Sequence, residues 1–299
     1  MNNPPGPVSA VRDDLRGLPA EALITVGGIV TTAAVVGVNL LGENYVGFNF
    51  LSLSFWFVIP AGAIIGGMGA ASGYYATARI TQTMPSRTLL INMIAVAVSA
   101  WFLSKWASYA TLVLEDGTRV ADLISFWQYF VISTESMQLS VGTRGRMAGS
   151  TGELGMLGYA REALQLVGFM VGGFASYAYL TDVEACESCK RYAKTETILN
   201  CVSPERFDDA LEEADISLPN LGAVARIALG NRPLQGLSLV LARCPRCNQE
   251  WLRPALVTRS GDSFDTTKLS RYNVDAEVSN VVRELTATWT SKVKVDPTG

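Results

Sequence analysis

The sequence predicts a mainly α-helical membrane domain of four spans joined to a small α+β cytoplasmic domain. Three observations carry that prediction. Four apolar runs are long enough to cross a bilayer, whereas of the 24 Lys and Arg only nine precede Asp182 and fifteen follow it. All five cysteines lie after residue 185, four of them in two CxxC pairs. There is no histidine anywhere in the 299 residues, so a metal here must be held by thiolate or carboxylate.

Residues 1–21 read as a polar tail, with Pro4, Pro5 and Pro7 and mixed charge. No cleavable signal is expected, because the first apolar run is too long for a signal segment. Ala22 to Leu41 is twenty residues without a charge, the length that crosses roughly 30 Å of hydrocarbon. Its Gly27/Thr31 and Gly28/Thr32 spacings suit close helix packing. The second span is placed at Phe50 to Tyr75, with a kink expected at Pro60 and GxxxG spacings at Gly62/Gly66 and Gly69/Gly73. A broken helix lining a path would share this pattern.

Thr88 to Ala107 is the third span, with Lys105 between Trp101 and Trp106 at its far end. That pattern suggests a lysine reaching the headgroups. Val120 to Val141 mixes apolar clusters with Asp122 and Glu135; Ile124, Trp127, Phe130 and Val131 suggest an amphipathic helix on the membrane, with a further span as the alternative. The glycine-rich stretch 142–158 reads as a loop up to Gly149 and a packed helix from Thr151, where Ser150 and Glu153 have capping-box spacing. That helix would cross as the fourth span, 157–180. Arg161 and Glu162 lie early in it, either at the outer interface or as intramembrane charges facing the bundle or a neighbouring subunit.

Two basic residues between the second and third spans, Arg79 and Arg87, put that connection in the cytoplasm by the positive-inside rule, and both termini with it. A prokaryotic inner membrane is the expected location. Thiolates stay free for metal in that reducing compartment.

The last domain, 182–288, carries Cys186-Glu-Ser-Cys189 and Cys244-Pro-Arg-Cys247. Each pair can present two sulfurs to one tetrahedral ion, so together Cys186, Cys189, Cys244 and Cys247 offer a closed structural zinc site. Strands are expected at Leu237 to Ala242 and Trp251 to Arg259 around the second pair, and at Thr195 to Leu199 after the first. By these paired motifs and strands the domain resembles the zinc-ribbon class. It departs in the 54 residues between Cys189 and Cys244, where Ser203-Pro204-Glu205 signals a helical insertion. Cys201 is left as a free thiol. Ala276 to Ala287 reads as an amphipathic helix with Val278, Val281, Val282 and Leu285 on one stripe, and 289–299 as a disordered end.

A net charge of −3 offers no basic face for a phosphate backbone, so nucleic acid is not expected. No nucleophile–base pair or Walker loop appears, which argues against an enzyme; membrane thiol–disulfide exchange is the enzymatic alternative. The expectation is a homo-oligomeric membrane scaffold in the lipid bilayer that binds a cytoplasmic protein partner. The alternative is a small transporter or channel that uses Arg161 and Glu162, with the cytoplasmic domain as its gate.

Overall fold

The computed structural model describes residues 20–54, 59–143, 146–202, 209, 212, 234–260 and 263–293. The chain divides into two compact units, 1–182 and 183–299.

In the first unit α1 (Ala20–Leu41) runs into a π-turn (Gly42–Val46), followed by a 3₁₀ turn (Phe50–Ser52) and α2 (Ala61–Thr81). Next come α3 (Arg87–Thr111), α4 (Val120–Leu123) and α5 (Phe126–Glu135), a hairpin of β1 (Gln138–Thr143) and β2 (Arg146–Glu153), and α6 (Met156–Thr181). Three helices, Ala20–Val46, Arg87–Thr111 and Met156–Thr181, are long and apolar enough to cross a membrane.

The second expected span is not among them, and its form differs from expectation. Helix α2 begins only after Pro60, so the proline starts the helix instead of kinking it. It has no N–H to contribute, and the first helical positions are where that loss costs least. The helix then runs past Tyr75 to Thr81, closed by Gln82 in the left-handed region. Nine of its residues are buried, among them Gly62, Gly66, Gly67, Ala70 and Gly73, because α2 packs against α1, α3 and α6 at once.

Small residues make those contacts possible. A Cβ on Gly73 would lie 2.0 Å from the Gly27 carbonyl oxygen, and one on Gly67 would lie 2.3 Å from that of Phe169. Thr31 Oγ1 donates across to Ala70 O at 2.7 Å. The GxxxG and Gly/Thr spacings therefore serve backbone approach.

The segment 120–153 departs most from expectation. Ser125 caps α5 in a reciprocal box with Gln128, so the expected single helix is divided at Ser125. The buried side is Phe126 and Thr134, whereas Trp127 and Val131 point outward. Phe126 joins Tyr109 and Val120 in a small core, and Tyr109 Oη donates to Ile124 O at 2.7 Å. The glycine-rich stretch is a hairpin, with Val141 opposite Gly149 and Thr143 opposite Arg146. Backbone pairing with β1 takes up 146–153, and α6 starts only at Met156.

In the second unit a short hairpin, β3 (Ala185–Cys186) with β4 (Arg191–Tyr192), precedes a five-stranded antiparallel sheet. Its order is β5 (Lys194–Val202), β6 (Leu234–Arg243), β7 (Glu250–Ser260) and β8 (Ser263–Lys268), with β9 (Tyr272–Val274) also on β7. Pro254 sits within β7 without breaking it. β9 pairs with Glu250 to Leu252 and β8 with Ala255 to Ser260, so the missing N–H falls in the gap between them.

Leu237, Leu239, Leu241, Leu252 and Leu256 are buried. Helix α7 (Ala276–Val293) packs against β5. Among its described side chains Ser279 and Val282 are buried and Val278 and Val281 half-buried, and the side chain of Leu285, the fourth residue of the expected stripe, lies outside those described. The helix also runs to Val293, through part of the end expected to be disordered. Of the helix expected from Ser203 only Asp209 and Glu212 are described, both helical and exposed, and most of the N-terminal tail lies outside the described residues.

Candidate metal centre

Each CxxC sits in the loop of a hairpin. Cys186 ends β3 and Cys189 lies in the turn before β4. Cys244 follows β6 directly, and its N–H bonds Gln249 O at 2.9 Å to hold the loop before β7. In both loops the residue after the second cysteine turns the chain back with positive φ, Lys190 at 48° and Asn248 at 58°. The two knuckles thus use one backbone solution twice. Asn at the second place is a residue that tolerates this conformation well.

The four sulfurs converge although 54 residues separate the pairs. All lie within 4.8 Å of one another, with Cys186 Sγ and Cys247 Sγ 3.8 Å apart. The cysteines are free. A tetrahedral ion bound at about 2.3 Å from each thiolate requires edges of about 3.8 Å, so the group has the dimensions of a four-thiolate metal site. Cys186 and Cys244 are buried, Cys189 is half-buried and Cys247 is exposed.

The thiols perturb one another strongly. Cys189 is pushed up to about 12, first by its hydrogen bond to Cys247 and then by burial. Burial, the largest single influence, also acts to raise Cys244. Backbone N–H groups of Cys247 and Arg246 and the sulfurs of Cys247 and Cys186 outweigh it and bring Cys244 down to about 7. A metal would displace the protons that remain on the sulfurs.

Sequence reasoning missed the layer beneath the sulfurs. Ala193, Ala242 and Trp251 pack against Cys186 and Cys244. Trp251 Nε1 donates to buried Glu184 at 3.2 Å, and Arg253 pairs with the same carboxylate at 2.9 Å. Arg271 lies over the Trp251 ring at 5.7 Å and pairs with Glu187, inside the first knuckle, at 2.6 Å. Trp251 was legible as a strand residue, but nothing local marked Glu184 or Arg271 as its partners. Cys201 lies on β5, and its side chain is outside those described.

In the helical unit Lys105 has an acidic partner on α6. It does not reach outward as a lone charge; its Nζ meets Glu162 Oε1 at 2.7 Å, and Glu162 is 4% exposed. Helices α3 and α6 pack side by side, so the pair lies between them. Arg161 turns away from that pair, donating to Ser52 O at 3.0 Å and to the Met137 sulfur. Against these partners Glu162 is buried and Arg161 half-buried. Compared with protein-family models, curated proteins and solved structures, the chain matches none.

Proposed function

We propose that the protein is a multi-pass membrane scaffold that presents a zinc-stabilised domain to a partner in the cytoplasm. The observation that carries this reading is the four-sulfur group. With four thiolates the coordination shell of zinc is complete, and no position is left for substrate or water. Such a site holds a fold together and does no chemistry. A shape-stable β domain with no nucleophile–base pair is suited to binding.

In this reading α1, α2, α3 and α6 all cross the bilayer. Helix α2 is not among the three most apolar helices, but it packs against all of the other three, and at about 1.5 Å per residue its length is close to the hydrocarbon thickness. Both termini then lie in the cytoplasm of a prokaryotic cell, and the chain assembles as a homo-oligomer. Metal analysis of the purified full-length protein tests the central point. One zinc per chain is expected, lost when Cys186 and Cys189 are changed to Ser; a metal-free protein with intact fold would refute it.

The second reading, a transporter or channel, is favoured by the Lys105–Glu162 pair inside the bundle, since intramembrane charge commonly marks a transport path. Flux through proteoliposomes, abolished by Glu162→Gln, would decide for it.

A further inference from the structure

One carboxylate in the helical unit has no role in either reading. Glu43 lies in the π-turn at the end of α1. Its Oε1 accepts from Asn39 Nδ2 at 3.0 Å and from Asn49 Nδ2, and its Oε2 lies 2.6 Å from Ser108 Oγ on α3. Its partners are thus two amides and a hydroxyl, with no ion pair to it among the described residues. Lys105 on α3 is engaged by Glu162, and Arg161 on α6 by Ser52 and Met137. Tyr109 on α3 donates to Ile124 O. Tyr129 on α5 is held above its ordinary value by burial and then by the charges of Glu43 and Glu162. Residues 47–54 contain nothing titratable.

Ser108 decides how many protons the group holds. Its Oγ is 2.6 Å from Glu43 Oε2 and 3.1 Å from the Ser104 carbonyl oxygen. A hydroxyl has one hydrogen, and a carbonyl can only accept. With Glu43 ionised, both neighbours compete for that hydrogen and one contact goes unmade. With a proton on Oε2, Glu43 donates to Ser108, Ser108 donates to Ser104, and both amides still reach Oε1. Every contact is then satisfied without moving a heavy atom.

A small cavity lies against Asn39, Asn49 and Ser108, the partners of Glu43. It has about 10 Å³ of space, lined by Asn39, Asn49, Trp101, Ser104, Lys105 and Ser108 among others. That is close to what one water needs. Asn39 Oδ1 and Trp101 Nε1 are both buried without a partner. One is an acceptor and the other a donor, the complement of a single water molecule. Asn39 itself is 2% exposed.

We propose that Glu43 is a proton-binding site within the helix bundle. Oε2 takes one proton from hydronium, releasing water. The new O–H bond points at Ser108, and the carboxylate charge is neutralised. This rests on the bundle geometry and not on the metal centre.

Infrared difference spectra of the full-length protein in detergent, wild type minus Glu43→Gln, isolate this carboxyl from all others. Expected is one carboxylic C=O band that appears in a single-proton step as pH falls, is retained in Glu162→Gln, and is unaffected by sodium chloride. Ser108→Ala is the second variant; it keeps the carboxyl and is expected to shift the band's frequency. The proposal is overturned if Glu43 shows only carboxylate bands at every pH. It is also overturned if the band survives in Glu43→Gln, if added sodium removes it, or if Ser108→Ala leaves its frequency unchanged.

Discussion

Lys105 and Glu162 meet at 2.7 Å with side chains 25% and 5% exposed. Bringing both charges out of water costs several kcal/mol, and their attraction repays this only while both are present. Glu162 also keeps Oε2 buried without a partner, so it has no second donor to fall back on. Lys105→Met is therefore expected to lower the stability of the helical unit by about 3–5 kcal/mol, as for other broken buried pairs. The double variant Lys105→Met with Glu162→Leu should recover much of that loss. Denaturant unfolding followed by helical circular dichroism in detergent measures both. A single variant as stable as the parent would show that the pair is solvated after all. At this scale the sequence named both residues and the four thiols but not their company. Lys105 and Glu162 are 57 positions apart, and nothing in either neighbourhood points to the other. Glu43 went unnoticed for the same reason, since in sequence it is one acid in a short connection.

Helix α2 shows what the local pattern can and cannot say about an element. Its glycines announce close packing, and the structure uses Gly73 against Gly27 O and Gly67 against Phe169 O. Gly37 on α1 has nothing within 4 Å of where a Cβ would stand. Gly73→Ala is accordingly expected to destabilise the bundle by about 1–3 kcal/mol through overpacking. Gly37→Ala should be neutral or stabilising by up to about 1 kcal/mol, since alanine is the better helix former. Thermal unfolding of the two variants side by side checks this; a Gly73→Ala variant as stable as Gly37→Ala would mean that helix propensity, and not backbone approach, governs both. The bounds of α3 and α6 were legible to within a few residues, because long, mostly apolar runs admit few alternatives. The glycine-rich hairpin was not legible. Glycine separations of three and four residues also suit a helix, and only pairing with Gln138–Thr143 reveals a strand. The division of 120–135 hung on Ser125 and Gln128, a capping box visible in the sequence but overshadowed by the apolar run around it.

For the whole molecule the two units have separate sources of stability. Residues 183–299 close around four sulfurs and a leucine-rich sheet, whereas residues 20–182 depend on helix packing. Chelation of the purified protein is expected to abolish the environment of Trp251, which packs directly on Cys186 and Cys244, while leaving the helical signal intact. Near- and far-ultraviolet circular dichroism before and after chelator, with zinc added back, tests this; loss of both signals together would mean that the units unfold as one. The two-part plan followed from the sequence alone, since fifteen of 24 basic residues and every cysteine lie in the last 118 positions. Composition determines which solvent a segment tolerates, and paired CxxC motifs determine what could hold the small domain together. Tertiary structure alone decided that α2 packs against three helices at once, that Lys105 belongs to Glu162, and that Ser108 stands between Glu43 and the Ser104 carbonyl. Those are contacts between residues tens of positions apart, set by which faces can pack together, and no local window of the chain contains them.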